Sequence, residues 1–243
     1  MTAALYRCPL HGAQVGSELV LDGAEGHHAA TVKRTAPGEK ILLADGSGQR
    51  ALAEVLTVQP GVLQVRILEL EAVPDDERSL ILVQALAKGG RDEQAIEAAT
   101  ELGVDEVWAW QAERSIVRWR AERTARARAK WEAVVDSAAK QARRATIPRV
   151  DGPLNSAEVG ARIRTADLAL ILHEDADQPL AGRELPVGQI LVVVGPEGGI
   201  SPAERALFEQ AGAVAVRLGA NVLRSGTAGP AALAVIAAAT RWR

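Results

Sequence analysis

The chain has 243 residues, of which 48% are hydrophobic and 24% are charged, and this ordinary globular composition excludes a wholly disordered chain. A single cysteine, Cys8, excludes an intramolecular disulfide and a cysteine-only metal site. Neither this cysteine nor the four histidines show metal-ligand spacing, so no metal is expected. The N-terminus lacks the apolar core of a signal peptide and no apolar stretch is long enough for a typical membrane span, so a cytoplasmic protein without membrane contact is expected.

The net charge of -3 hides an uneven distribution. Residues 114–149 hold eleven basic and three acidic side chains, a balance of +8, which leaves -11 for the rest of the chain. A basic block on an acidic body is typical of a surface that binds phosphates. A solvated helix face has the same appearance, and charge alone does not choose between the two interpretations.

The first 72 residues are predicted to form a small β-barrel. Short apolar runs alternate with turn signals such as Asp22-Gly23 and Pro60-Gly61, a pattern typical of short strands joined by tight turns. The predicted strands cover residues 19–21, 41–43, 51–58 and 62–70. The polar, proline-bearing residues 73–78 are predicted to be a linker.

Residues 79–243 are predicted to form an α/β domain with a parallel sheet covered on both faces. Asp92 is predicted to cap the first helix of this domain. The last helix consists almost entirely of small residues, which predicts close packing. The predicted strands are 79–86, 104–110, 168–172, 190–194 and 214–218, and the longest and last predicted helices are 121–145 and about 226–240.

The most informative stretch is ILVVVGPEGGISPAE, residues 190–204. Ser201, Pro202 and Glu204 fit the N-cap, N1 and N3 positions of a helix with a capping box. The preceding loop therefore lies at the carboxyl end of a parallel strand, where open α/β sheets bind ligands. Its glycines, Gly195, Gly198 and Gly199, allow backbone groups to approach a ligand. The sequence is neither a P-loop nor a GxGxxG motif, and a purely structural tight turn is the alternative.

Two further loops are predicted at the same edge of the sheet. Residues 219–228 follow one strand and carry Arg224, while His173-Glu174-Asp175 follows another. A surface arginine is usually solvated, and a lone histidine after a strand is more often structural. Their position at the ligand edge nevertheless favours a functional role.

The two C-terminal loops resemble a known family. GPEGGISPAE followed by LGANVLRSGTA is similar to the cofactor-binding signature of SPOUT-class RNA methyltransferases, and in particular the RsmE type, the 16S ribosomal RNA uracil-N3 methyltransferases. Weaker matches extend over almost the whole chain, including His27-His28 and Glu113-Arg114-Ser115. In two departures, Gly226 stands where the family commonly has an acid, and Ala98 where it often has lysine.

The resemblance implies a PUA-like RNA-binding barrel at residues 1–72 and a SPOUT methyltransferase domain with a deep trefoil knot at residues 79–243. It also implies S-adenosylmethionine as methyl donor, a homodimer, and 16S rRNA, in the small ribosomal subunit, as substrate. The cofactor-binding residues it implies are Leu172, His173, Gly195, Glu197, Gly198, Gly199, Leu218, Gly219, Leu223 and Thr227.

For methylation of uracil N3, negative charge that develops on the uracil oxygens favours a nearby guanidinium. Arg224 is the first candidate for this catalytic role and Arg114 the second, while the proton acceptor stays open among His173, Glu174 and Glu197. Basic residues are expected to position the RNA through its phosphates. The predicted RNA-binding residues are His28, Arg34, Arg126, Lys130, Lys140, Arg143 and Arg144, with the last three predicted to share one helix face.

Two other functions stay open at this point. The chain could be a non-enzymatic RNA-binding or ribosome-assembly protein that kept the fold, because Gly226 replaces the usual acid. It could also be a different SPOUT enzyme that acts on tRNA or on another ribosomal position.

Overall fold

The computed structural model describes residues 3–73 and 76–242. Their contacts divide the chain into two units, one of residues 3–73 and 139–147, the other of residues 76–138 and 148–242. The assignment of residues 139–147 to the first unit has no counterpart in the sequence prediction, which treated each domain as continuous. Residues 74 and 75 of the predicted linker lie outside the described residues.

The first unit contains a five-stranded sheet in the order β1-β3-β4-β5-β2, in which β1 and β3 are parallel and the other pairs antiparallel. All four strands predicted here are confirmed. The first strand, β1, was missed because three residues carry too little pattern to recognise. The strands are β1 (Leu5–Arg7), β2 (Glu18–Leu21), β3 (Lys40–Ala44), β4 (Gln49–Gln59) and β5 (Val62–Ala72).

The core of the first unit lies on one face of this sheet. Ala51, Ala53 and Val55 of β4 alternate with less buried residues, as expected for a strand with one buried face. A short helix, α1 (Gly23–His27), and the π-helical turn His28–Val32 follow β2. Neither was predicted from the sequence.

Residues 139–147 are held to the first unit by polar contacts. Lys140 Nζ lies 2.7 Å from both carboxylate oxygens of Glu25 and 5.6 Å from the centroid of the Tyr6 ring. Arg7 Nη1 donates a hydrogen bond to the carbonyl oxygen of Arg144 at 3.2 Å. The basic segment is therefore anchored by α1 and β1.

The second unit contains a six-stranded sheet in the order β11-β9-β10-β6-β7-β8, with every described pair parallel. This confirms the predicted parallel sheet. Its strands are β6 (Arg78–Ala85), β7 (Glu106–Trp110), β8 (Arg149–Leu154), β9 (Leu168–Leu172), β10 (Gly188–Val194) and β11 (Val214–Val216). Its helices are α2 (Arg91–Glu101), α3 (Thr124–Gln141, which continues into the first unit), α4 (Ser156–Ile163), α5 (Pro202–Gln210) and α6 (Ser225–Thr240).

The prediction of one helix over residues 121–145 is wrong at both ends. A 3₁₀ turn covers Ala121–Arg123, and α3 ends at Gln141. Arg143 has a φ of 56°, and the amide of Arg144 donates to the carbonyl of Ala139 at 2.8 Å, which is the geometry of a left-handed helix terminus. Lys140, Arg143 and Arg144 therefore do not share a helix face.

The predicted cap of α2 is also corrected. Gly90 occupies the N-cap position, whereas Asp92 lies inside the first turn and accepts hydrogen bonds from the amides of Glu93 at 3.0 Å and Ala87 at 3.4 Å. Burial raises the pKa of the Asp92 carboxyl, although these amide donors oppose the shift. Asp92 thus fixes the turn that leads from β6 into α2.

The predicted close packing of α6 is confirmed. A Cβ atom built on Gly229 would lie 2.8 Å from Leu82 Cδ1, and one on Gly226 would lie 3.0 Å from the carbonyl oxygen of Arg91. Glycine at these positions lets α6 approach both the sheet and α2. The acidic side chain that the family commonly has at position 226 would fit here only if the Arg91 carbonyl oxygen shifted slightly.

We expect Gly229→Val to lower the free energy of unfolding by about 2 kcal/mol, because added carbon atoms overpack the contact with Leu82. Urea denaturation measures the change. Ala238→Val, on an exposed position of the same helix, is the matched control and should change stability by less than about 0.5 kcal/mol. Equal stability of Gly229→Val and the parent would contradict the tight packing.

Candidate active site

Three loops at the carboxyl edge of the sheet line a cleft of about 370 Å³. The loops follow β9, β10 and β11, as the sequence predicted. Clefts of this size at this edge are typical small-molecule sites in α/β folds. The lining residues are Arg91, Leu172, His173, Glu174, Val194, Gly195, Pro196, Glu197, Gly199, Ile200, Val222, Leu223, Arg224, Ser225 and Ala228.

The glycine loop after β10 has its shape for local reasons. Ser201 caps α5 in the predicted capping box with Glu204. Gly199 has a φ of 72°, a conformation that favours glycine, and its amide donates to the Pro196 carbonyl at 2.8 Å. A Cβ atom on Gly195 would lie 2.7 Å from Ile200 Cγ1. The loop therefore folds back on itself more tightly than a side chain at position 195 allows.

The loop after β11 presents free backbone donors. No amide of residues 219–223 donates a hydrogen bond to any residue that the structure describes. Val222 is 76% exposed and Leu223 is 38% exposed. Apolar side chains next to free amides suit a ligand that has both an apolar face and hydrogen-bonding edges.

An ion pair that the sequence did not predict joins two sides of the cleft. Arg91 Nη1 donates to Glu197 Oε1 at 3.0 Å, and the same oxygen accepts the amide of Lys88 at 3.2 Å. Arg91 begins α2, whereas Glu197 lies in the glycine loop. The only sequence signal for this contact was the position of Arg91 at a helix start beside the ligand edge.

Glu204 organises the neighbouring loop that carries Arg114. Its buried carboxylate accepts hydrogen bonds from the amides of Glu113 at 2.7 Å and Ser201 at 3.1 Å, and from Ser156 Oγ at 2.7 Å. Ser156 in turn accepts a hydrogen bond from Trp110 Nε1 at 3.1 Å. These contacts connect the loop after β7 with the end of the glycine loop.

The structure brings most of the predicted cofactor and catalytic residues together. Leu172, His173, Gly195, Glu197, Gly199, Leu223 and Arg224 line the cleft. Leu218 and Gly219 line a smaller cavity of about 70 Å³, which shares His173 and Leu223 with the cleft. Neither the cleft nor the smaller cavity is lined by Gly198, Thr227 or Arg114. Arg114 nevertheless contacts the glycine loop, because its Nη1 donates to the Gly198 carbonyl at 3.0 Å.

The predicted RNA-binding residues have different surroundings. Lys130 forms an ion pair with Glu93 at 2.5 Å, as Lys140 does with Glu25. Arg126 is exposed and has no ion pair within the described chain. In the first unit, Arg34 is exposed with a φ of 54°, and the half-buried His28 ring lies 6.2 Å from the Tyr6 ring.

The described residues contain no group of three or more His, Cys, Asp or Glu side chains that could hold a metal ion. None of the helices in residues 3–73 and 76–242 is long and apolar enough to cross a membrane.

The fold and the glycine-loop cleft are those of an RNA methyltransferase. A family model described as an RNA methyltransferase domain matches residues 74–237, and one described as an RNA methyltransferase PUA domain matches residues 21–68. Ribosomal RNA small subunit methyltransferase E of Mycobacterium tuberculosis is 45% identical over 233 residues, which cover 93% of this chain and 89% of that protein. The chain belongs to the ribosomal RNA small subunit methyltransferase E family.

More distant relatives also match most of the chain. The Bacillus subtilis protein of the same name is 28% identical, over 89% of this chain and 88% of its own. The Neisseria gonorrhoeae protein, crystallised with S-adenosyl methionine, superimposes with a TM-score of 0.87 at 28% identity and covers 98% of both chains. A putative methyltransferase from Legionella pneumophila, also bound to this cofactor, gives a TM-score of 0.84 at 30% identity and 98% coverage of both chains.

Proposed function

We propose that this chain transfers the methyl group of S-adenosylmethionine to N3 of a uracil in 16S rRNA of the small ribosomal subunit. The observation that carries the proposal is the cleft formed by three loops, with Arg224 on its lining, in a chain of this family. The names of the relatives and the cofactor bound to two of them support the substrate and the methyl donor.

The residues of the cleft fit S-adenosylmethionine. Leu172, Val222 and Leu223 offer apolar surface for a purine ring, and the free amides of residues 219–223 offer donors for its edge. The carboxylate of Glu174 favours the cationic end of the cofactor, whereas that of Glu197 is already paired with Arg91. The predicted cofactor-binding residues that line the cleft and its smaller neighbour are proposed to make these contacts.

When bound, the cofactor supplies an electrophilic methyl group on a sulfonium. Arg224 has the central role among the residues of this chain, because its guanidinium can offset the negative charge that develops on a uracil oxygen as N3 is deprotonated. Arg114 is fixed to the glycine loop through the Gly198 carbonyl, and we place it second. Both assignments require the uracil to leave its base stack.

The proton on N3 must go to a base before or during transfer. The amide of Asp175 donates to His173 Nδ1 at 3.2 Å, so in the neutral ring Nε2 carries the hydrogen and the single acceptor nitrogen, Nδ1, is already engaged. Glu174 lines the cleft and is exposed. Glu197 Oε1 already accepts two hydrogen bonds, so of the three candidates we favour Glu174. The N3 electron pair forms the new N–C bond, and the S–C pair leaves with S-adenosylhomocysteine.

We propose that exposed basic side chains position the RNA through its phosphates. In the second unit, Arg123 and Arg126 are exposed and form no ion pair with a described residue. Lys130 is expected to contribute less to phosphate binding, since its charge is already paired with Glu93. In the first unit Arg34 is the exposed candidate. The other predicted residues there are half-buried and are placed after it: His28, Lys140, which is paired with Glu25, Arg143 and Arg144.

We expect the double variant Arg123→Ala/Arg126→Ala to weaken RNA binding and to lower the slope of log K against log salt by about 2, because two phosphate contacts are lost. Fluorescence anisotropy with a 16S rRNA fragment at several salt concentrations measures the slope. Arg128→Ala is the matched control, because Arg128 on the same helix is already paired with Glu132 at 3.0 Å. A slope equal to that of the parent would show that this face is merely solvated.

The enzymatic proposal is tested by transfer of labelled methyl groups to small subunits from cells that lack the enzyme. We expect incorporation with these subunits and much less with subunits that are already modified. Calorimetry that shows no cofactor binding, together with salt-dependent RNA binding, would instead favour a non-enzymatic RNA-binding protein. Incorporation into tRNA alone would favour a different SPOUT enzyme.

The resemblance to SPOUT enzymes further leads us to propose a cytoplasmic homodimer with a trefoil knot in the second unit. Light scattering should give twice the mass of the chain.

A further inference from the structure

Ser225, the first residue of α6, is a buried polar residue without a partner. The residue is 8% exposed, and its Oγ has no hydrogen-bond partner in the described chain. Ser225 nevertheless lines the cleft. A buried hydroxyl without a partner is unfavourable, and such groups call for a functional explanation.

The surrounding first turn of α6 carries further unused donors. The amides of Ser225 and Gly226 have no acceptor among the described residues, whereas those of Thr227 and Ala228 both donate to the Arg224 carbonyl. The first turn contains no acidic side chain. Free amides and the helix dipole together favour negative charge at this end of a helix.

Positive charge is also available beside this turn. Arg224 directly precedes α6, lines the cleft and has no ion pair among the described residues. Arg91 is close by, since its carbonyl oxygen would be 3.0 Å from a Cβ on Gly226, but its guanidinium is engaged by Glu197. The hydroxyl of Ser225 and the first-turn amides therefore adjoin one uncommitted guanidinium.

We propose that Ser225 Oγ and the first-turn amides of α6 form an oxyanion site for one carbonyl oxygen of the target uracil, with Arg224 serving the other. This inference rests on the proposed function. Loss of the N3 proton to the base spreads negative charge over the two carbonyl oxygens that flank N3. Two donor groups from adjacent residues match two oxygens on either side of one nitrogen. Ser225 is then a further catalytic residue.

The test compares Ser225→Ala with the parent on reconstituted small subunits whose 16S rRNA contains either uridine or 5-fluorouridine. Fluorine withdraws electrons and makes N3 more acidic, so less stabilisation of the anion is required. We expect Ser225→Ala to lower kcat about tenfold or more on uridine RNA and by less than threefold on 5-fluorouridine RNA. The affinity for S-adenosylmethionine should stay within twofold of the parent.

Two variants separate this role from a structural one. Ser225→Cys keeps a side chain of similar size with a weaker donor, so its kcat on uridine RNA should lie between those of the parent and Ser225→Ala. Ser115→Ala removes another buried hydroxyl that has no partner in the described chain but does not line the cleft, and it is the control for stability. If Ser225→Ala does not fold, the same comparison is made with Ser225→Cys.

An unchanged rate, an equal loss on both RNAs, or a loss that follows weakened cofactor binding would each overturn the oxyanion site. Failure of the parent itself to methylate uracil while it binds the cofactor would instead overturn the proposed function. The two failures are therefore distinguishable.

Discussion

Arg224→Ala should lower kcat for methyl transfer by about 100-fold or more, because the loss of one donor to a developing oxyanion has effects of 10²–10³ in comparable sites. Arg224 is exposed and immediately precedes α6. Its side chain makes no cap hydrogen bond, so its removal should leave the fold intact. Methylation of small subunits under saturating cofactor measures kcat, and calorimetry measures cofactor affinity.

Arg224→Lys should recover part of the rate, because lysine keeps the charge but not the planar pair of donors. Arg164→Ala, on an exposed position outside the cleft lining, is the matched control and should retain the parent rate. Normal turnover by Arg224→Ala would refute the charge-stabilising role of this arginine and would leave Arg114 as the candidate for that role.

The second large effect is expected at Glu204. Glu204→Ala leaves the amides of Glu113 and Ser201 and the hydroxyl of Ser156 without their shared acceptor. Since an unsatisfied buried donor costs about 1–3 kcal/mol, we expect the free energy of unfolding to fall by about 3 kcal/mol in total. Cofactor affinity should fall as well, because the same carboxylate holds the end of the glycine loop.

Urea denaturation and calorimetry measure the two effects of Glu204→Ala. Glu209→Ala provides the control on the same helix, since Glu209 forms an exposed i,i+4 pair with Arg205 that is worth less than about 1 kcal/mol. A loss of stability no greater for Glu204→Ala than for Glu209→Ala would contradict the organising role of this carboxylate.

Strands with continuous apolar runs were predictable from the sequence. β9 occupies the predicted residues, Leu168–Leu172, and β10 extends the predicted run by two residues at its start. β8 was not recognised, because Gly152 and Pro153 interrupt its apolar pattern. Local composition thus identifies buried strands but not those whose pairing depends on their neighbours.

The positions of the three loops were also predictable, because parallel strands place their carboxyl ends at one edge. Their tertiary contacts were not. The Arg91–Glu197 ion pair joins residues 106 positions apart, and no local pattern predicts it. The capping box of Ser201 and Glu204 was visible in the sequence, but the contacts of Glu204 with Glu113 and Ser156 were not.

The basic block shows the limit of charge patterns most clearly. Its total of +8 is correct, but the structure pairs Lys130 with Glu93, Lys140 with Glu25 and Arg128 with Glu132. Arg143 and Arg144 lie beyond the end of the helix. A count of charges cannot distinguish side chains that are already neutralised from those, such as Arg123 and Arg126, that remain available to phosphates.

The most direct test of the account is nucleoside mass spectrometry of 16S rRNA from small subunits of a strain that lacks the enzyme, before and after incubation with this protein and S-adenosylmethionine. We expect 3-methyluridine to appear at a single position, and to be absent when Arg224→Ala replaces the parent. No methylated nucleoside, or methylation at an atom other than uracil N3, would contradict the account.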